Sequence, residues 1–260
     1  RGMRLYIITG SSRGLGLAIA QLALEEKALV HTVSRHRNDE LDHAASYAGA
    51  QLTQHEFDLQ DVERIPALVN DIISSAGAAA DGEGNAVEEA MLVNNAGVLE
   101  PLGPVRELSA AALSTHVAVN LTGLMQLTAA FLSATNTAAS PRTVVNISSG
   151  AATKPYEGWG AYCATKAAVE MFTRVTALEE GDRSGTRIIA VAPGVVDTDM
   201  QALIRRTPEE KFPHRPKFVD LKESGKLADP AVAASLVLRA ARDPEIESGS
   251  CVDVRRLYGS

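Results

Sequence analysis

The chain has 260 residues, 45% of them hydrophobic and 22% charged, with a formal net charge of −7. That length holds one large α/β domain or two small ones, and that hydrophobic share is enough for a buried core. The negative balance argues against a polynucleotide-binding surface, which would carry a basic stripe. Arg35–His36–Arg37 and Arg205–Arg206 are long enough only for a single phosphate. Cys163 and Cys251 lie far apart without metal-ligand spacing, and the six histidines form no constellation, so no metal is expected. So few thiols fit a reducing compartment. No apolar run reads as bilayer-spanning, and no basic-then-apolar leader opens the chain, so a cytoplasmic protein without a membrane partner is expected. Arg1–Gly2, ahead of Met3, are set aside as additions.

In chain order, RLYIITG (4–10) is a short apolar run ending in glycine and reads as a buried strand. Residues 15–28 follow with apolar side chains at three- and four-residue steps, the period of a helix. Strands are expected at 29–35 and 50–59, with a helix at 61–76 and an exposed, small and acidic loop at 77–90. A strand at 91–97 leads to one long helix at 109–135, a strand at 142–149, a helix at 160–180 and a strand at 186–194. A helix at 229–242 and a short strand near 248–254 end the count. Strand and helix alternate, and the strands are continuous apolar runs, which suits a parallel sheet covered on both faces. The expectation is a single-domain α/β doubly wound Rossmann fold over residues 3–260. The stretch at about 199–227, charged and carrying Pro208, Pro213 and Pro216, reads either as a substrate lid or as a surface excursion.

TGSSRGLG (9–16) stands where a dinucleotide would bind, between the first strand and the first helix. Gly10 can take a positive φ there, and Gly14 and Gly16 let backbone approach a pyrophosphate, with Ser12 and Leu15 between them. The spacing is Gly-x-x-x-Gly-x-Gly, not the common G-x-G-x-x-G. At the end of the second strand a carboxylate would hold the ribose of NAD, whereas arginine accommodates a 2′-phosphate. The sequence gives Ser34 and Arg35, with Arg37 nearby and Arg13 inside the turn, which favours NADP(H) over NAD.

Tyr162 and Lys166 lie four apart, one turn on along the same helix face, thirteen residues after Ser149. A cation near a phenol would lower its pKa and suit it to acid–base chemistry. With Thr9-Gly10-x-x-x-Gly14-x-Gly16, NNAG at 94–97, Asn120 and Pro193-Gly194-x-x-x-Thr198, the chain resembles the short-chain dehydrogenase/reductase family along nearly its full length. Within that family it is most similar to the sepiapterin reductase and bacterial benzil reductase branch, through residues 146–168, 193–201 and 248–253.

The resemblance implies a catalytic set of Ser149, Tyr162, Lys166 and Asn120. Tyr162 would protonate the substrate oxygen, Lys166 would also hold the nicotinamide ribose, and Ser149 would orient the substrate. Ser148 is the rival serine. Asn120 would anchor a water joining Lys166 to solvent. Cofactor contacts are implied at Asp58 and Leu59 for adenine, and at Asn94, Ala96 and Gly97 for the ribose and pyrophosphate. Pro193, Gly194, Val196 and Thr198 would stand near the nicotinamide amide and phosphates. Tyr156 and Trp159 would line an aromatic-accepting pocket or serve as packing, and Met200 and Gln201 would begin the lid, with Met200 touching the substrate. Asp253 matches a pterin-gripping carboxylate, or forms a salt bridge with Arg255 or Arg256. Cys163 reads as packing.

The expected function is an NADPH-dependent carbonyl reductase acting on a small-molecule ketone or vicinal diketone, benzil-like or sepiapterin-like, as a homodimer or homotetramer. Two alternatives share the fold. One is an NAD-dependent alcohol dehydrogenase, disfavoured by Arg13 and Arg35. The other is a non-catalytic dinucleotide sensor, which would need no proton path.

Overall fold

The computed structural model describes residues 2–82, 86–136, 141–181 and 185–259. Strands β1 (Met3–Thr9), β2 (Leu29–Ser34), β3 (Gln51–Glu56), β4 (Val87–Asn94), β5 (Arg142–Ile147), β6 (Thr186–Ala192) and β7 (Cys251–Asp253) form one sheet in the order β3-β2-β1-β4-β5-β6-β7. Every neighbouring pair is parallel. The reversal of strand order falls between β1 and β4, and in such sheets ligands bind beyond the carboxyl ends of the strands at that switch. The expected doubly wound fold is therefore the observed one. The central strands are buried on both faces, which is why their sequences are continuous apolar runs. β3, at the sheet edge, alternates exposed and half-buried residues and reads QLTQHE.

Helices α1 (Gly14–Glu25), α2 (Asp39–Ala48), α3 (Ile65–Gly82), α4 (Ala110–Val117), α5 (Gly123–Ala134), α6 (Gly160–Glu180), α7 (Asp199–Arg206), α8 (Arg215–Glu223), α9 (Pro230–Arg242) and α10 (Val254–Tyr258) cover the sheet and its carboxyl edge. One core layer joins β-strand residues such as Ile8 and Val191 to Ile19 of α1 and Val237 of α9. The other joins Ile7 and Leu92 to Ile72 of α3 and Phe131 of α5.

Several expectations are corrected. The 77–90 segment is not one exposed loop: α3 continues to Gly82 with Ala76 and Ala80 buried, and β4 begins at Val87. Residues 83–85 of that segment lie outside the described residues. Helix α2 was not anticipated, although Asn38 caps it by accepting from the Glu40 N–H at 2.7 Å and Gly49 ends it with φ 63°. The long helix at 109–135 is broken by a π-helical turn at Ala118–Thr122. That 25-residue stretch, Ala110–Ala134, is also long and apolar enough to cross a membrane by length and composition, with mean hydropathy 1.4. Its apolarity has another use here, because Leu127 and Phe131 complete the core layer against α3. The strands expected at 91–97, 142–149 and 186–194 all stop short, at Asn94, Ile147 and Ala192, where the chain leaves the sheet to build the site. The 199–227 stretch contains α7 and α8, and so is an ordered excursion.

Candidate active site

Four strand ends converge at the switch. After β1, the turn at Gly10 (φ 68°) leads into α1, and a Cβ at Gly16 would run into the Gly10 carbonyl and the Asn95 amide. The turn is held from β4: Asn95 Nδ2 donates to the Thr9 and Gly10 carbonyls at 3.0 and 3.1 Å. Thr9 Oγ1 in return accepts from the Asn95 and Ala96 N–H groups, each at 3.0 Å. Asn38 Nδ2 closes the outer side by donating to the Ser12 carbonyl at 2.9 Å. Arg13 occupies the N-cap of α1 without a side-chain cap, so the first-turn N–H groups lack the usual partner and suit a phosphate.

The expected cofactor residues divide by what their side chains do. Arg35 is exposed at the end of β2, with no hydrogen bond or ion pair among the described residues, which suits a 2′-phosphate. Arg13 is held 3.2 Å from Asp199, and Arg37 3.3 Å from Asp42. The Ser34 hydroxyl accepts from the Ser11 N–H at 2.8 Å. Asp58 lies at the surface near the end of β3, its carboxylate accepting from the Gln60 N–H at 3.0 Å. Leu15 and Leu59 are buried in the two core layers, so only their backbones can meet a ligand. Asn94 is likewise committed: its amide donates to Thr128 Oγ1 at 3.0 Å and Asn146 Oδ1 at 2.9 Å beneath the site. Ala96 and Gly97 border the cleft, and a Cβ on Gly97 would lie 3.5 Å from Asn120 Oδ1 and 3.8 Å from Lys166 Nζ. Beyond β6, Pro193 and Gly194 turn the chain, Val196 bridges to Ala228, and Thr198 reaches back to the Gly14 turn as N-cap of α7. These residues fit a nicotinamide dinucleotide laid across the switch.

Tyr162 and Lys166 project from α6 and are both buried. Burial pushes the Tyr162 phenol up to about 12, against a hydrogen bond with Ser149 that favours the phenolate. Burial also lowers Lys166 to about 8. The expectation that Lys166 would lower the phenol is corrected. Its ammonium lies 5.7 Å from the ring centroid and donates to the Ile147 carbonyl at 2.7 Å, so the dry surroundings of the phenol prevail. Ser149 follows β5, and its Oγ also accepts from the Ala151 N–H at 3.2 Å. Ser148 points the other way and donates to the buried Glu170 carboxylate at 2.8 Å. Of the two serines, Ser149 is thus the one beside the phenol.

Asn120 sits in the π-helical turn and is buried. Its Oδ1 accepts from the Val98 N–H at 2.8 Å, and its Nδ2 donates to the Val98 carbonyl at 2.7 Å and faces His116 Nε2 at 3.1 Å. Both amide hydrogens therefore face partners, one the Val98 carbonyl and the other His116.

Around the phenol stands an aromatic wall. Trp159 meets Tyr162 edge-on at 5.7 Å and stacks on Phe212 at 4.6 Å with an interplanar angle of 3°. Phe218 and Tyr156 complete the group, with Met200 partly buried against it. Trp159 is therefore chiefly the anchor of the 199–223 excursion, while Tyr156 is half-buried with Lys217 Nζ 3.3 Å from its hydroxyl. Gln201 is buried in the first turn of α7, its Oε1 without a partner among the described residues. Asp253 does not stand free. Its carboxylate accepts from the Arg255 N–H and Nε at 3.0 Å each and from Nη2 at 2.6 Å. Burial alone would raise its pKa, but the bonds and charge of Arg255 hold it below the usual range. The terminal salt bridge is the observed arrangement. Cys163 packs against the aromatic wall.

Sequence reasoning missed His116, Phe212 and Phe218, and named Asn95 only as part of NNAG. The two phenylalanines carried a signal, since large apolar residues inside a charged stretch need something to pack against.

The comparisons agree with this geometry. The family model described as short chain dehydrogenase matches residues 4–209. A benzil reductase ((S)-benzoin forming) from Bacillus cereus is 42% identical over 97% of this chain and 99% of its own. A sepiapterin reductase from Mus musculus is 35% identical over 97% of each chain. The crystal structure of the KRED1-Pglu enzyme superposes with a TM-score of 0.78 at 32% identity, covering 96% of this chain and 100% of that one. These are the kinds of reductase to which the motifs pointed, and the chain belongs to the short-chain dehydrogenase/reductase family, oxidoreductases that act at carbonyl or alcohol carbon with a nicotinamide dinucleotide.

Proposed function

We propose that the protein is an NADPH-dependent carbonyl reductase acting on a ketone or vicinal diketone, with Tyr162 as general acid. The observation that carries this reading is the buried Tyr162 phenol set beside the Ser149 hydroxyl with the Lys166 ammonium 5.7 Å from its ring centroid, and burial, which raises the phenol to about 12, keeps it protonated at neutral pH. Bound across the switch, the nicotinamide would supply hydride to the carbonyl carbon. Ser149 then holds the carbonyl oxygen by a hydrogen bond, and Tyr162 gives that oxygen its proton as charge develops, leaving an alcohol. Lys166, largely cationic below about 8, stabilises the phenolate that remains.

NADPH is favoured by the exposed, unpaired Arg35. An aromatic diketone is favoured over a pterin, because the aromatic wall adjoins the phenol while Arg255 occupies the Asp253 carboxylate. The 199–223 excursion acts as a lid, docked through Phe212 on Trp159. Met171, Val175 and Leu178 leave an exposed apolar row on α6, with Met125 exposed on α5, which a second copy would cover in a cytoplasmic homodimer or homotetramer.

The test is initial-rate oxidation of NADPH and NADH with benzil and sepiapterin, by the wild type and Tyr162→Phe. The variant should lose about 10²–10⁴-fold in turnover while binding NADPH almost unchanged. Retained turnover would overturn the mechanism, and a preference for NADH would overturn the role of Arg35.

A further inference from the structure

His116 is a fully buried histidine on α4 that the reaction as described does not use. Its protonation state follows from its neighbours. Nδ1 lies 2.7 Å from the Glu100 carbonyl, which can only accept, so Nδ1 carries the hydrogen. In the neutral ring Nε2 is then a bare lone pair, and it faces the Asn120 amide nitrogen at 3.1 Å. That amide cannot turn over freely, because Val98 presents its N–H to Oδ1 and its carbonyl to Nδ2. The three bonds have one consistent pattern: Val98 N–H to Oδ1, Nδ2–H to the Val98 carbonyl, Nδ2–H to His116 Nε2. Thr165 Oγ1, one residue from Lys166, stands 3.1 Å from the same imidazole nitrogen, so the ring ties the π-helical turn to the helix bearing Tyr162 and Lys166.

We propose that His116 is a positioning residue for the proton path, holding the Asn120 amide through its unprotonated Nε2, and that protonation of His116 unlocks this clamp and shuts the site down in acid. A proton on Nε2 would oppose an N–H to the Asn120 N–H. Turning the amide over would relieve that clash only by setting its NH₂ against the Val98 N–H. No orientation of Asn120 satisfies a cationic His116 and Val98 together. The groups facing the ring are of both kinds, and burial decides between them. Lys166 on α6 is itself positive and opposes the cation, and the Tyr162 ring meets it edge-on at 6.3 Å between centroids, whereas the Glu100 and Ala161 carbonyls and Thr165 Oγ1, whose own hydrogen goes to the Ala161 carbonyl at 3.0 Å, can accept from the ring. Burial and the Lys166 charge keep its pKa below the ordinary histidine value. The inference rests on the reading of Tyr162, Lys166 and Asn120 as the proton path.

Two measurements test it. Nitrogen-15 NMR of histidine-labelled wild type at pH 7.5 should show a protonated Nδ1 and an unprotonated Nε2 at His116. The opposite tautomer, or a cation, would overturn the clamp whether or not the protein reduces carbonyls. In turnover, the wild type should show an acid limb in kcat with a midpoint below about 6.5. His116→Gln, which offers Asn120 an oxygen that cannot be protonated, should keep kcat near the wild-type value at pH 7.5 and lose that limb. His116→Leu should lower kcat about 10²-fold at every pH with KM for NADPH unchanged. An acid limb that persists in the glutamine variant, or full kcat in the leucine variant, would refute a positioning role.

Discussion

Replacing Phe212 by alanine should free the 199–223 excursion, read above as a lid, from the site without unfolding the sheet. The ring is wholly buried, stacked on Trp159 at 4.6 Å and within 5.6 Å of Phe218. Truncating a buried phenylalanine costs about 3–5 kcal/mol. The cluster it belongs to, with Trp159, Tyr162, Ile204 and Phe218, is separate from the two layers that sandwich the sheet. The loss should therefore fall on local opening of the lid, and about 3 kcal/mol corresponds to roughly 10²-fold more of the open form. Hydrogen exchange should then accelerate about 10²-fold for amides of α7 and α8 and stay unchanged for β1, β4 and β5. KM for the carbonyl substrate should rise, because this cluster adjoins the Tyr162 phenol. Unchanged exchange in α7 and α8, or equal acceleration across the sheet, would refute the idea that the stacked pair is the lid's own anchor.

Two further outcomes concern pH. Lys166, lowered by burial to about 8, is cationic below that value and neutral above it, so carbonyl reduction should decline as pH rises through 8. A pH–rate profile of kcat that stays flat to pH 10 would remove Lys166 from the step. His31 on β2, paired with His55 at 3.0 Å, is lowered by burial to about 4. A folded pKa below the unfolded one means the unfolded chain binds more protons between 6.5 and 4, so stability present above pH 6.5 is lost as pH falls through that window. The loss should reach on the order of 3 kcal/mol. Urea midpoints at pH 7.5 and 4.5 should show it, and His31→Phe should flatten the difference; an equal drop in that variant would assign acid lability elsewhere.

The central strands were legible because burial on both faces removes polar residues from them. Tyr162, Lys166 and Ser149 were legible because one helix turn and one loop fix their spacing. What the sequence hid is what depends on long-range packing. The π-helical turn at Asn120 has no compositional mark, since the stretch reads as helix on either side of it. Asn94 and Asn95 are identical neighbours, yet one is committed beneath the sheet edge and the other welds the glycine turn, and only the end of β4 between them tells which is which. The loop expected at 77–90 failed because small residues such as Ala80 are as much helix-packing residues as loop residues.

The direction of the chemistry is also a matter of burial. The sequence suggests that a lysine one turn away tunes the phenol toward phenolate, which would suit alcohol oxidation as readily as carbonyl reduction. Both groups are instead dry, and each is driven toward its neutral form: the phenol up to about 12, the ammonium down to about 8. At neutral pH the phenolate needed as a base for oxidation would amount to only about 10⁻⁵ of the sites, whereas the phenol needed as an acid is nearly all of them. The ammonium still survives at that pH to receive the phenolate formed by proton transfer. An acid that is always charged with its proton, beside a cation that stabilises what it becomes, favours the reductive direction. That asymmetry weighs against the alcohol dehydrogenase alternative independently of the arginines at the cofactor end.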